Sequence, residues 1–132
     1  MSYPYDSSYT PPLPALEVVL RRPEGNSLGP LPALIDTGAD TTLIPVASLQ
    51  RLGLRPFSTG FLRSQWGERH PIELYLLDIQ VADQTLPDIE AVGNGVGREL
   101  ILGRNILNKL LLLLDGPSQM TDILVSRPRI GR

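Results

Sequence analysis

Ala33-Leu34-Ile35-Asp36-Thr37-Gly38-Ala39-Asp40-Thr41-Thr42-Leu43-Ile44-Pro45 is the stretch whose reading decides the fold. An apolar strand runs straight into a carboxylate, and a tight turn with one glycine follows at once. A second apolar segment then leads to Pro45. A chain that ends a strand on Asp36 and reverses at Gly38 presents that carboxylate from a short, sharply bent backbone. The triplet Asp36-Thr37-Gly38 occurs once in the chain.

Near the other end lies Leu100-Ile101-Leu102-Gly103-Arg104-Asn105. Together the two segments resemble the retropepsin-like, or retroviral-type, aspartic proteases. The resemblance covers residues 15–126 and is strongest at 33–45 and 100–106. It implies an all-β, single-domain closed β-barrel with a flap hairpin and one or two short helices, assembled as a C2 homodimer. Such enzymes need two catalytic aspartates, so a chain with one triplet implies one Asp36 from each subunit. The resemblance further implies that Thr37, Gly38, Asp40, Gly103 and Arg104 support the active-site loop. Gly103 would brace it from behind, and Asp40 would pair with Arg104, whose planar fork suits a bidentate carboxylate contact. Gly38, Ala39, Asp40, Gln65 and Trp66 are the expected substrate contacts.

Composition bounds this picture. The chain has 132 residues, 42% of them apolar, which fits one domain with a real core. It has no cysteine, which excludes disulfide and thiol chemistry, and one histidine, His70, which argues against a multi-histidine metal site. A net charge of −2 gives no general attraction to nucleic acid. No secretory leader and no span of about 20 apolar residues is visible. The expectations are therefore a cytoplasmic protein without metal or cofactor, whose partners are a second copy and a peptide or protein substrate, with no nucleic acid and no membrane.

Three segments are expected: a flexible proline-rich arm over 1–14, the protease domain over 15–126 and a basic tail over 127–132. Val- and Leu-rich runs predict strands at 15–21, 31–35, 42–44, 89–92, 100–102 and 121–126, and 79–86 reads as a further strand and turn. Gly53 predicts the stop of a helix over 46–52, and 104–109 reads as one or two helical turns. The segments 57–66 and 70–81 predict a long hairpin at the position of a flap, without the run of flap glycines seen in retroviral enzymes. The leucine run 110–114 is expected as a buried strand.

Other polar residues have plainer readings. Asp78, Asp83, Asp88 and Glu90 are expected as solvated charges, His70 as an exposed neighbour of Pro71, and Asp115-Gly116-Pro117 as a turn. The Gly93–Gly97 loop lacks the lysine and hydroxyl of a phosphate loop; it is either a connector or a wall of the substrate cleft. Arg127, Arg129 and Arg132 are expected in a solvated tail. The functional expectation is an aspartic endopeptidase. The alternative is a catalytically silent peptide-binding or dimerisation module on the same fold, and release from a longer precursor by self-processing is a third possibility.

Overall fold

The computed structural model describes residues 1–63 and 66–129. In chain order it contains β1 (Ser2–Pro4), β2 (Ala15–Arg21), β3 (Ser27–Ile35), β4 (Thr42–Pro45), α1 (Val46–Arg51), β5 (Ser58–Arg63), β6 (Arg69–Val81), β7 (Gln84–Asn94), β8 (Ile101–Leu102), α2 (Arg104–Leu107), β9 (Leu112–Asp115) and β10 (Met120–Ile123).

Alternation builds the main sheet. In β2, Leu16, Val18 and Leu20 are buried while Glu17 and Arg21 face out. In β6, Tyr75, Leu77, Ile79 and Val81 do the same. Period-two burial of this kind is what a pleated strand with one face on a core requires. Each such Leu, Ile or Val contributes about 1.5–3 kcal/mol relative to exposure. Leu49 of α1 and Ile106 of α2 join the same cluster. Helix α1 stops where Gly53 takes φ +74. The Gly53 N–H donates to the Gln50 carbonyl and the Leu54 N–H to that of Leu49, the paired closure of a glycine-terminated helix.

The main sheet has the order β2-β3-β8-β4-β7-β6-β5, and β2 also pairs with β6 through Val19–Gln80, Leu20–Ile79 and Arg21–Asp78. One feature of this order positions the Asp36 turn. Strand β8 lies between β3 and β4, parallel to β3 and antiparallel to β4. Its register sets Leu34 against Ile101 and Ile35 against Leu102. The residues that follow, Asp36 and Gly103, are thereby brought abreast.

Several elements differ from expectation. Strand β7 runs over eleven residues rather than the four of 89–92, because it pairs with β6 along one side and β4 along the other. The leucine run forms β9 only from Leu112, and Leu113 and Leu114 are 45% and 46% exposed rather than buried. The reason is topological: β9 belongs to a separate three-stranded sheet, β1-β10-β9, which sets Leu112 and Ile123 against the main core and leaves Leu113 and Leu114 outside it. The last strand ends at Ile123, and α2 at Leu107.

The segment 1–14, expected as a flexible arm, carries strand β1, which pairs with β10 through Ser2–Asp122, Tyr3–Thr121 and Pro4–Met120. Ser2 Oγ also donates to the Asp122 carboxylate. Further on, Asp6 bridges Leu13, and the Pro14 carbonyl accepts the Ile35 N–H at 3.0 Å. The arm is thus tied to its own chain at both ends.

Candidate active site

Asp36 stands one residue past β3, where the strand's hydrogen bonding has not yet ended. Its N–H donates to the Leu102 carbonyl at 3.1 Å, and its own carbonyl accepts the Ala39 N–H at 3.2 Å. The side chain folds back on the turn it opens: Oδ1 accepts the Gly38 N–H at 2.9 Å. A carboxylate oxygen two residues before an N–H is the natural geometry of an aspartate-led turn. Asp36, Thr37 and Gly38 are all exposed in the single chain.

The brace behind the turn comes from the second segment. A Cβ at Gly103 would lie 2.6 Å from both the carbonyl carbon and oxygen of Thr41 and 3.0 Å from the Ala39 oxygen. Only glycine lets the two backbones approach this closely. The Arg104 N–H donates to the Ala39 carbonyl at 2.8 Å and the Asn105 N–H to that of Asp40 at 3.3 Å.

Side chains complete the tie. Arg104 Nη1 donates to the Thr37 carbonyl at 2.8 Å. This differs from the expected pairing with Asp40: among the described residues no ion pair joins Arg104 to Asp40. A backbone carbonyl fixed by the turn costs less to engage than an exposed carboxylate, whose pairing is worth about 0–1 kcal/mol. Within the described residues the Thr37 hydroxyl has no hydrogen bond of its own.

Two residues that sequence reading left without a role join this network. Asn105 Oδ1 accepts from both the Thr42 N–H, at 3.1 Å, and the Thr42 hydroxyl, at 2.8 Å. Thr42 Oγ1 in turn accepts the Gly103 N–H at 3.1 Å, and Asn105 Nδ2 donates to the Glu90 carbonyl at 2.8 Å. Thr42 is fully buried, so its satisfied hydroxyl matters: a buried, unpaired one costs about 1–3 kcal/mol. The signal was present in sequence as a polar residue at the start of an apolar strand and an asparagine directly after Gly103-Arg104.

Residues 26–109, well over half of the chain, match the family described as "gag-polyprotein putative aspartyl protease". The chain belongs to that family. No curated protein sequence matches it. Among solved structures it is similar to a retropepsin-like aspartic protease from Rickettsia conorii, with a TM-score of 0.62 at 12% identity over 92% of this chain and 86% of that one. It is similar to the EIAV protease, solved with an inhibitor, with a TM-score of 0.53 at 24% identity over 74% of this chain and 86% of that one. The retroviral protease-like domain of Ddi1 from Leishmania major gives 0.55 at 14% identity, covering 84% and 87%. At these identities the likeness is one of fold.

The remaining expected site residues of this aspartyl protease family member divide between this turn and the hairpin. Ala39 and Asp40 sit on the braced turn. Trp66 lies in the turn of the β5–β6 hairpin and is 82% exposed; Gln65 lies outside the described residues, as does Arg132. The hairpin is not far from the second glycine loop. A cavity of about 520 Å³ is walled by Leu62, Ile72 and Tyr75 from the hairpin side, by Leu43, and by Val92 to Val96. Gly93, Asn94 and Gly95 are therefore cavity wall rather than plain connector. Among the described residues no cluster of three or more histidine, cysteine or acidic side chains could hold a metal, and no helix is long and apolar enough to cross a membrane.

Proposed function

We propose that the protein is an aspartic endopeptidase that works as a C2 homodimer, with one Asp36 from each subunit in a shared site. The observation that carries this reading is the Asp36 turn, which holds an exposed carboxylate on a backbone braced by Gly103, Arg104 and the Thr42–Asn105 pair. Membership of an aspartyl protease family supports it. Family likeness alone is not evidence of activity, so the chemistry has to follow from the site.

Two carboxylates brought to about 3 Å, as in aspartic proteases generally, cannot both ionise. They titrate as a pair with one shared proton. The ionised partner takes a proton from a water between them, and the water oxygen attacks the peptide carbonyl carbon. The protonated partner gives its proton to the carbonyl oxygen. The resulting tetrahedral species collapses with proton transfer to the leaving nitrogen, which returns the pair to its starting charge.

In this scheme Thr37, whose hydroxyl has no bond within the described residues, would bond across the twofold axis. Gly38, Ala39 and Asp40 would pair with an extended substrate backbone from below, and the hairpin, through Gln65 and Trp66, from above. Exposure of the turn in a single chain fits a surface that a second copy covers. We also propose that the main sheet closes as a barrel, which the β2–β6 pairing supports.

The test is cleavage of a mixed peptide library from about pH 4 to 7, the range in which a shared-proton pair changes state, by wild type and by Asp36→Asn, with sedimentation of both. Cleavage by a wild-type dimer and none by the variant is the expected result. A folded wild-type dimer that binds peptides and cleaves none would sink the endopeptidase and leave the silent binding module.

A further inference from the structure

The cavity beneath the hairpin has a largely apolar wall, with Gln50, Glu73 and Asn94 as its polar side chains and Glu73 as its one charged group. Leu43, Leu62, Ile72, Tyr75, Val92 and Val96 line it, and Glu73 contributes a carboxylate. Of its other polar residues, Asn94 is already committed: its Oδ1 accepts the Val96 N–H at 3.1 Å and the Gly97 N–H at 3.0 Å.

Glu73 is not committed in that way. It is exposed, and among the described residues it has no ion-pair partner. Its one hydrogen bond comes from the Tyr75 hydroxyl, 3.3 Å from Oε2. A carboxylate offers about four acceptor positions, so most of its capacity remains open. Tyr75 itself is held tightly. The residue is 4% exposed, and a Cβ at Gly93 would come within 2.8 Å of its ring. Burial first, and the Glu73 charge second, push the Tyr75 hydroxyl above its ordinary pKa. It therefore stays a proton donor and keeps one Glu73 oxygen oriented.

A largely apolar groove with an oriented carboxylate that has no ion-pair partner among the described residues suits a long aliphatic stem with a cationic end. Lysine and arginine bury their stems against apolar surface and keep the charged head at the rim. An acidic side chain would meet like charge at the same place. We propose that this cavity is a specificity pocket for a lysine or arginine of the substrate, with Glu73 as the residue that receives the cation. The proposal rests on the peptide-cleaving reading above for its biological meaning, but not for its test.

The experiment uses peptide libraries that carry lysine, norleucine or glutamate at one fixed position, scanned along the peptide. Binding to the Asp36→Asn protein is read by fluorescence anisotropy, so no cleavage is needed. At one position lysine is expected to bind about three- to fivefold more tightly than norleucine, the range of an exposed ion pair, and glutamate more weakly than either. In Asp36→Asn/Glu73→Gln the lysine advantage should fall to about onefold while norleucine binding is unchanged, since the apolar wall is intact. Tyr75→Phe should reduce the advantage without removing it. Equal binding of the three libraries at every position, binding of none, or a lysine advantage that survives Glu73→Gln would overturn the proposal. If the wild-type protein cleaves nothing but the Glu73-dependent preference is present, the endopeptidase fails and the pocket stands. If it cleaves without that preference, the pocket fails and the enzyme stands.

Discussion

The Asp36 turn and the β5–β6 hairpin are held in opposite ways. The turn hangs on other parts of the chain: Leu102, Gly103, Arg104 and Asn105 each bond to it or to the residues around it. Over Ser58–Arg63 and Arg69–Glu73 the hairpin pairs only with itself, and β6 gains a second neighbour, β7, from Leu74 onward. Its large apolar side chains Phe61, Leu62 and Trp66 are 61%, 43% and 82% exposed, and Arg69 stacks over Phe61 at 4.4 Å. A two-stranded ribbon is marginally stable in water on its own. The difference teaches that this fold concentrates its long-range hydrogen bonds around the Asp36 turn and leaves the outer part of the hairpin with only those of its own two strands.

The largest effect that can test the comparison is at the tied end. Asp36→Asn should lower kcat by about 10⁴-fold, since acid and base are lost together. Its melting temperature should stay near wild type, because the asparagine oxygen can still accept the Gly38 N–H. A variant that unfolds instead would show that the charge supports the fold.

Gly103→Ala should cost about 2–3 kcal/mol of stability, the upper part of the range for forcing atoms into a packed site, and should show as a lower denaturant midpoint. A wild-type midpoint would mean that the turn can yield at Thr41 and is not rigidly tied.

Asn105→Ala should follow, at about 1–3 kcal/mol, as the buried Thr42 hydroxyl loses its acceptor. Thr42→Val alone should also destabilise, since it takes the acceptor from the Gly103 N–H, and the double variant should cost less than the sum of the two single ones, because both side chains belong to one network. Strict additivity would assign the Asn105 cost to the Glu90 contact instead.

The smallest effect on stability is expected at the hairpin. Trp66→Ala should change stability by no more than about 0.5 kcal/mol, as for exposed positions generally, yet raise KM for peptides. Amide hydrogen exchange sharpens the same contrast: 59–62 and 70–73 should exchange faster than 42–44 and 102–106. Equal protection of the two sets would remove the distinction between tied and untied regions.

Local signals made part of this molecule legible in its sequence. Strand β2 was readable to its last residue from Val and Leu spacing, and the end of α1 from Gly53. The hairpin was readable from two β-prone runs around Gly67. In the site, the strand-to-aspartate turn and the glycine that meets it carried their own marks, since both depend on residue types that suit one backbone geometry. Thr42 and Asn105 were less visible, because a polar side chain acquires a role only from the partner that the fold brings within about 3 Å.

What the sequence determined by itself was therefore local: where apolar alternation makes a strand, where glycine allows a bend, and that Asp36 would stand at a strand's end. The tertiary structure decided the rest through contacts between distant residues. It turned the supposed loose arm into a strand by pairing Ser2 with Asp122, and it left Leu113 and Leu114 in water by placing β9 in a second sheet. It gave Arg104 a carbonyl rather than a carboxylate as partner. A strand's hydrogen-bonding groups are the same in every residue but proline, so the choice of pairing partner is written in the packing of the whole chain and not in the strand itself.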